Sequence, residues 1–381
     1  MTFFRFKGRS LTFLTIMFVG VLIGTSVLGA MPAQAATIAP VGNGTSVSVA
    51  YTIYKDSSGY TCAKNCANGA IDFRNTNSRW VIQKTIDKLS GGYILIKAGT
   101  YAITQTIYTN KVSIIGEGNA TILKASGNVG GGMIKVTDGY WTLDYRLMSS
   151  RPNGITIGNL QINGLGGGSM KGVAFIDCLN SKMVRIYVHD ILACQGLYMS
   201  NSQYCSISRC QIYNVGDNTA AHYGSGIAFG EASSTKVASS YITIDNCLIS
   251  KTSMSSIDLE PANHVTITNC VFREAAMWKN YYNPVITEYR VSGYAANDYI
   301  TVSGCNANGG FNEFIVLTPS SHSVVKNNVI TQTRGSCTPI YVTYSQYDTI
   351  TGNKITTASS QPIHLVGCSS CTVSGNTIIK R

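Results

Sequence analysis

Charged side chains are scarce in this sequence: Asp, Glu, Lys and Arg make up 12% of its 381 residues. Two short alternating segments stand out against that background, Ser256-Ile-Asp-Leu-Glu-Pro and Pro284-Val-Ile-Thr-Glu-Tyr-Arg. Side chains alternate along an extended strand, so Asp258 and Glu260 face out if Ile257 and Leu259 face a core. Setting Val285, Thr287 and Tyr289 inward turns Ile286, Glu288 and Arg290 outward. Carboxyls at i and i+2 have Cβ atoms about 6.5–7 Å apart, inside the range in which inverting glycoside hydrolases hold a water. On adjacent strands Glu260 and Glu288 would sit about 5 Å apart. Like charges that close keep a proton on one partner near neutral pH. A hydrolase would then use Glu260 or Glu288 as acid and Asp258 as base. The same three residues, Asp258, Glu260 and Glu288, are oxygen ligands suited to Ca²⁺. The metal would hold a uronate carboxylate and acidify its α-proton, with Arg290 or Lys279 as base or charge stabiliser. That is β-elimination, and a C5-epimerase starts with the same proton abstraction.

The elements that must position these residues are repeats. Tyr241-ITIDNCLI, His264-VTITNCVF, Tyr299-ITVSGCNA, Ser323-VVKNNVI, Asp348-TITGNKI and Cys371-TVSGNTI share one pattern, with Cys205-SISRCQI one rung earlier. Aligned, one column reads Cys210, Cys247, Cys270, Cys305, Asn328, Asn353 and Asn376, in steps of 37, 23, 35, 23, 25 and 23 residues. A second alternating strand follows each, starting at Gly196, Gly226, Ser256, Pro284, Phe314, Pro339 and Pro362. A base repeat of about 23 residues is one coil of a β-solenoid. The Asn column predicts a coil-to-coil amide ladder, and the Cys column predicts small buried filler.

The two long steps each hide extra residues after the same column, near 214–225 and 274–283, with further excess near 292–298. Insertions at one point of the coil emerge on one face, so these loops would wall the coil that carries Asp258 and Glu260. They supply His222, Tyr223, Trp278, Lys279, Tyr281 and Tyr282. Glu231 stands at the edge of the preceding coil, and Tyr198 and Tyr341 occupy outward positions of neighbouring ones. Aromatic rings beside a polar groove suit sugar faces, so these nine are the expected substrate-binding residues.

With this repeat the chain resembles the pectate-lyase-like superfamily over roughly residues 70–381. The segments Ser78-RWVIQKTIDKLSGGYILIKAGTYAI and Val112-SIIGEGNATILKA look like that superfamily's opening. The resemblance implies an all-β, right-handed, single-stranded parallel β-helix with a short N-terminal capping helix, in which Trp80, Ile82 and Ile86 would seal the open core end. It also implies β-elimination as the associated chemistry. Such helices serve lyases, hydrolases, epimerases and phage tail proteins alike. The polygalacturonase series, the Trp-Ile-Asp-His and Arg-x-Pro-x-x-Arg motifs of the best-known pectate lyases, and the Tyr-Gly-x-Asp-Pro-His pattern of alginate epimerases are absent; Ser256-IDLEP is only a loose echo of the last.

Arg5, Lys7 and Arg9 precede an apolar stretch, Leu11 to Ala30, and Ala33-Gln34-Ala35 offers a cleavage site. This is the three-part pattern of a secretory signal peptide, residues 1–35; an uncleaved anchor is the alternative. A 36–69 extension and a 70–381 helix domain would follow, outside the cytoplasm and without stable membrane insertion. Removing three of 29 basic residues leaves 26 against 18 acidic ones, a formal +8. That balance favours an acidic glycan partner. The basic residues form no run, which argues against nucleic acid. The twelve Cys fit the repeat column better than a disulfide framework, although Cys62 with Cys66 and Cys368 with Cys371 are close enough for small loops. His189-Asp190 is not expected to act as a dyad, because strand neighbours point to opposite faces. His264 and His322 read as turn residues.

Together these features predict a secreted enzyme that cleaves an acidic, uronate-containing glycan by β-elimination, with Ca²⁺ if the carboxylates are ligands and no cofactor otherwise. The competing readings are a hydrolase using the same carboxylates, a non-catalytic carbohydrate-binding or cell-surface solenoid, and a surface ion network joining the carboxylates to Arg290 and Lys279.

Overall fold

The computed structural model describes residues 37–38, 47–138, 151–217, 223–230, 237–274, 284–289, 297–333 and 337–381. The chain winds as a parallel β-helix whose coils have three strand-bearing sides. One side follows the ITI segments, for example Ser239–Asp245, Ala262–Thr268, Thr301–Ser303 and Val324–Lys326. The next side follows the Cys/Asn column, as in Leu248–Thr252, Val271–Arg273, Asn306–Gly309 and Val329–Gln332. These two sides merge into one 24-stranded sheet, because the long strands Thr156–Asn163 and Lys182–Ile191 run through the corner between them. The third side is a separate ten-stranded parallel sheet, from Ile107–Thr109 to Ile363–Val366.

Register is set by burial. Ile244, Ile267, Val302, Val325 and Ile350 pair in line on the first side and are all buried. Each such aliphatic side chain contributes about 1.5–3 kcal/mol of burial. The third side repeats this with Ile227, Ile257, Ile286, Ile315 and Ile340.

The expected column ladder forms, with one addition. The thiols of Cys210, Cys247, Cys270 and Cys305 each lie 3.8–3.9 Å from a backbone carbonyl oxygen of the coil before, those of Met183, Ile207, Ile244 and Ile267. Asn328, Asn353 and Asn376 make the same bond with Nδ2 at 2.9–3.0 Å, to Val302, Val325 and Ile350. Their Oδ1 atoms accept in turn from the coil before, as when Asn328 N and Nδ2 both donate to Asn353 Oδ1. Cys and Asn are thus two grades of one device, a weak S–H donor and a strong amide donor. All twelve cysteines are free thiols, so the two small-loop disulfides do not form.

Two corners use left-handed backbone. One carries Arg209, Asn246, Asn269, Gly304, Asn327, Gly352 and Gly375, residue types that mostly tolerate positive φ. The other carries Tyr204, Tyr241, His264, Tyr299, His322 and Tyr347; His tolerates positive φ, and the bulky Tyr does not favour it. Their rings stack in one file with centroid spacings of 4.9, 4.5, 4.5, 5.1 and 5.0 Å. Each pair supplies about 0.5–1.5 kcal/mol, comparable with the strain of order 1–2 kcal/mol per residue. His322 sits at a bend, as expected, whereas His264 falls within the strand Ala262–Thr268; both are rungs of this file.

At the N-terminal end Val47–Lys55, Thr61–Asn65 and Ile71–Asn75 form an antiparallel trio, and the first of them also pairs in parallel with Gly92–Ile96. The helix Ser78–Lys88 is N-capped by Asn77, whose side chain accepts from Trp80 N. Ile82 and Ile86 seal the core as expected, together with Val81 and Thr85. Trp80 does not. It stays 38% exposed and packs edge-on against Phe73 at 6.0 Å, because the sealing stripe runs one residue further along the helix. Among the described residues no helix is long and apolar enough to cross a membrane.

Candidate functional site

The outer face of the ten-stranded sheet is one continuous row. Its pairing runs Tyr108, Lys135, Ala174, Tyr198, Ala228, Asp258, Thr287, Val316, Tyr341, His364. Asp258 faces out, as the alternation requires, between buried Ile257 and Leu259. Its Oδ1 is shielded from solvent and has no hydrogen-bond partner. Burial, with the charge of Glu260 added to it, pushes the Asp258 carboxyl well above the usual carboxylate range. Glu260 follows two residues on and is half-buried. Burial falls more heavily on Asp258 than on half-buried Glu260, which favours the neutral form at Asp258.

Glu288 is not on this face. Ile257 pairs with Ile286 and Asp258 with Thr287, so the second segment is one residue out of the expected register. A one-residue slip exchanges the faces of every side chain. Pro284 had been aligned with Ser256 because Pro339 and Pro362 open the later strands; Val285 is the true counterpart. Glu288 therefore lies in the core, fully buried, beside Leu317 of the next coil. Its Oε2 accepts from Thr318 N at 2.8 Å and its Oε1 is unpartnered. Burial drives its pKa well up, against the bonds from Thr318 and Asn297 and with the charges of Asp348 and Asp298 added.

With Glu288 in the core, the expected Ca²⁺ ligands Asp258, Glu260 and Glu288 do not share one face; Asp258 lies in the strand Ile257–Leu259 and Glu260 directly after it. Among the described residues no three His, Cys, Asp or Glu side chains are grouped to hold a metal.

Of the expected substrate-binding residues, Tyr198 lies on the row, two coils before Asp258. Its phenol lies where a Cβ of Gly230 would project, so any larger residue there would collide with it. Gly230 and Glu260 directly follow the paired Phe229 and Leu259, which puts the phenol on the carboxyl side of the row. Lys171 Nζ stands 4.5 Å from the Tyr198 ring centroid. Tyr341 lies three coils beyond Asp258, tilted against His364 at 5.5 Å. Tyr223 is exposed, and the strand it precedes, Gly224–Gly230, is the one that carries Ala228. His222, Glu231, Trp278, Lys279, Tyr281, Tyr282 and Arg290 lie outside the described residues.

His189 and Asp190 do meet, with Nδ1 2.7 Å from Oδ2. Asp190 sits at φ 56, and that left-handed turn swings its side chain back beside its neighbour's. The Gln161 amide nitrogen faces Nε2 at 2.7 Å, so Nδ1 carries the proton toward Asp190. Asn214 Nδ2 adds a 2.6 Å bond to Asp190. This chain stands on the second side of the coil, off the row. Glu313, at the mouth of the strand Ile315–Thr318, has an unpartnered buried Oε2, and burial pushes its carboxyl to about 7. Lys135 carries no repeat signal of its own, and its place on the row comes only from pairing with Tyr108 and Ala174.

A family model described as a right-handed beta helix region matches residues 195–379. Among solved structures the chain is similar to open reading frame 18 of Geobacillus virus E2, at 17% identity and TM-score 0.57, covering 79% of this chain and 58% of that one. It is similar to an alginate lyase from Paenibacillus sp. at 17% identity and TM-score 0.50, covering 79% and 93%. It is similar to the tailspike of E. coli bacteriophage HK620, solved with a pentasaccharide, at 15% identity and TM-score 0.59, covering 86% and 62%. The chain thus spans less than two thirds of the two viral proteins. No curated protein is significantly similar in sequence. The fold is a right-handed parallel β-helix, as the resemblance implied.

Proposed function

We propose that the chain is a secreted glycan-cleaving enzyme that works on the outer row of the ten-stranded sheet. The observation that carries this is the Asp258–Glu260 pair: a proton-holding carboxyl beside a second carboxyl, on a row that is otherwise free of acidic side chains. In hydrolysis Asp258 gives its proton to the glycosidic oxygen as the C1–O bond breaks. Glu260 takes a proton from the water that attacks C1. An extended i, i+2 pair stands about 6.5–7 Å apart, in the inverting range; here Glu260 lies in the turn directly after the strand of Asp258. Tyr198 would offer a ring and a hydroxyl to a neighbouring sugar. The Paenibacillus neighbour is an alginate lyase and the tailspike was solved with an oligosaccharide, which supports a glycan as the ligand class.

Lys171 above Tyr198 favours a second reading on the same row, β-elimination from a uronate. There a base removes the proton α to the carboxylate, a C=C bond forms, and the leaving oxygen is protonated by Asp258. The expected base candidates, Arg290 and Lys279, lie outside the described residues. The deciding experiment treats acidic and neutral polysaccharides with the mature protein, with and without EDTA. It reads reducing ends beside the ultraviolet absorbance of an unsaturated uronate. Reducing ends alone mean hydrolysis. Absorbance means elimination, and its loss in EDTA would return a metal to the scheme. Silence in both channels on a broad panel refutes the enzyme and leaves the binding solenoid.

A further inference from the structure

The strand that carries Asp258 stops one residue short of Glu260. Its pairing ends at Leu259, and the next strand starts at Ala262. The ladder itself does not reach Glu260 and Pro261. One side chain closes that gap. Asn297, on the following coil and fully buried, accepts from Ala262 N with Oδ1 at 3.1 Å and donates Nδ2 to the Leu259 carbonyl at 2.9 Å. Ala262 N can only donate, so the orientation of the amide is fixed. Glu288, buried on the same coil as Asn297, bonds that amide as well.

The position belongs to a column, and Asn297 departs from its pattern. Cys178 N, Ser202 N and Ser320 N each donate to a serine hydroxyl one coil on, those of Ser202, Ser239 and Ser345, at 3.0–3.1 Å. A hydroxyl has a single proton to donate. Ser202 directs it to the Ser200 carbonyl at 3.0 Å and stands 3.5 Å from Phe175 O, the counterpart of Leu259 on an earlier coil. Ser345 directs it to the Thr343 carbonyl at 3.0 Å. Serine thus grips one end of the span on the coil before it firmly, and asparagine grips both. The replacement falls where that span joins Asp258 to Glu260.

We propose that Asn297 is a positioning residue for Glu260: by holding both ends of Leu259–Ala262 it sets how far the Glu260 carboxyl stands from that of Asp258. The inference rests on the reading of these two carboxyls as the working pair for its effect on rate, while the place it gives Glu260 can be measured without turnover.

The test reads geometry and rate separately. Ala228 and Thr287 flank Asp258 along the row, and the charge that raises Asp258 is that of Glu260. The titration of the Asp258 carboxyl, followed by ¹³C NMR, therefore reports where Glu260 stands, and Glu260→Gln should lower its midpoint. Asn297→Ser restores the residue the column uses elsewhere, keeps an acceptor for Ala262 N and drops the hold on Leu259 O. Its Asp258 midpoint should move part of the way toward that of Glu260→Gln, and kcat should fall about 10–100-fold with KM unchanged. Ser239→Ala, two coils earlier in the column, should leave midpoint and kcat where they are. An Asp258 midpoint in Asn297→Ser equal to the parent's overturns the inference, whatever the rate does, and so does an equal shift in Ser239→Ala. Should thermal unfolding show that Asn297→Ser does not fold, the Ala262 amide of the parent decides. Hydrogen exchange as fast as in an exposed turn overturns the hold, and protection like that of Ser202 N supports it. A parent that cleaves no glycan removes the enzyme reading alone, because the midpoint still reports the hold on Glu260.

Discussion

The outer row of the ten-stranded sheet and the Tyr/His corner file run along the same solenoid, and they differ in how their residues recur. The corner repeats one chemistry: every described rung from Tyr204 to Tyr347 is a flat ring stacked on the next. On the row the residue type changes from coil to coil, through Lys135, Ala174, Tyr198, Ala228, Asp258 and Thr287. A column that repeats stabilises the stack, since each rung gains only from neighbours like itself. A column that varies is not serving the stack, and its odd members require another reason. Asp258, buried with an unpartnered oxygen, is the clearest such member.

Four experiments would break or sharpen that contrast. Asp258→Asn should lower glycan cleavage by about 10²–10⁴-fold, the usual worth of a general acid, with the melting temperature unchanged or raised. A fall in stability matching the fall in rate would make Asp258 a structural residue. Asn353→Ala should do the opposite. It strips Asn328 N and Nδ2 and the Val325 carbonyl of a buried partner, which costs about 3 kcal/mol or more, seen in denaturant titration, with kcat of the remaining folded protein intact.

Glu288→Leu tests an odd member of the inward columns. A leucine beside Leu317 relieves the burial of the carboxyl but strips Thr318 N of its acceptor, so the net change should stay within about 1–2 kcal/mol near neutral pH. The pH dependence follows from the raised carboxyls of Glu288 and Asp348. Their folded pKa lies above the unfolded value of about 4, so the folded state holds protons that the unfolded state releases. Stability should fall as pH rises from about 4 through the raised values, and the Leu variant should flatten that slope by one group. A slope of opposite sign would place Glu288 in an ion pair. The smallest effect should come from Tyr299→Ala, which removes two stacking contacts worth about 1–2 kcal/mol in all. Cleavage should not change; if it does, the corner file touches substrate.

Most of the fold was legible because a solenoid writes its geometry into columns. The Cys/Asn column and the inward Ile positions follow from spacing, and the helical cap from the family resemblance. What failed were places where one residue of phase matters. Pro284 imitated the prolines that open later strands, and that slip moved Glu288 across the sheet. The dyad of His189 and Asp190 was excluded by strand alternation, yet a left-handed Asp190 suspends alternation for one residue. Lys135 could not be found from its own neighbourhood, since its place on the row is set by pairing with Tyr108, 27 positions earlier.

The thiol file has a consequence for how the molecule ages. Cys210, Cys247, Cys270 and Cys305 are shut inside consecutive coils, so an oxidant or alkylating reagent reaches them only when a coil opens. Modification of each sulfur then counts openings of its own turn, and the four together form a clock that records, from one coil to the next, where the solenoid first comes apart.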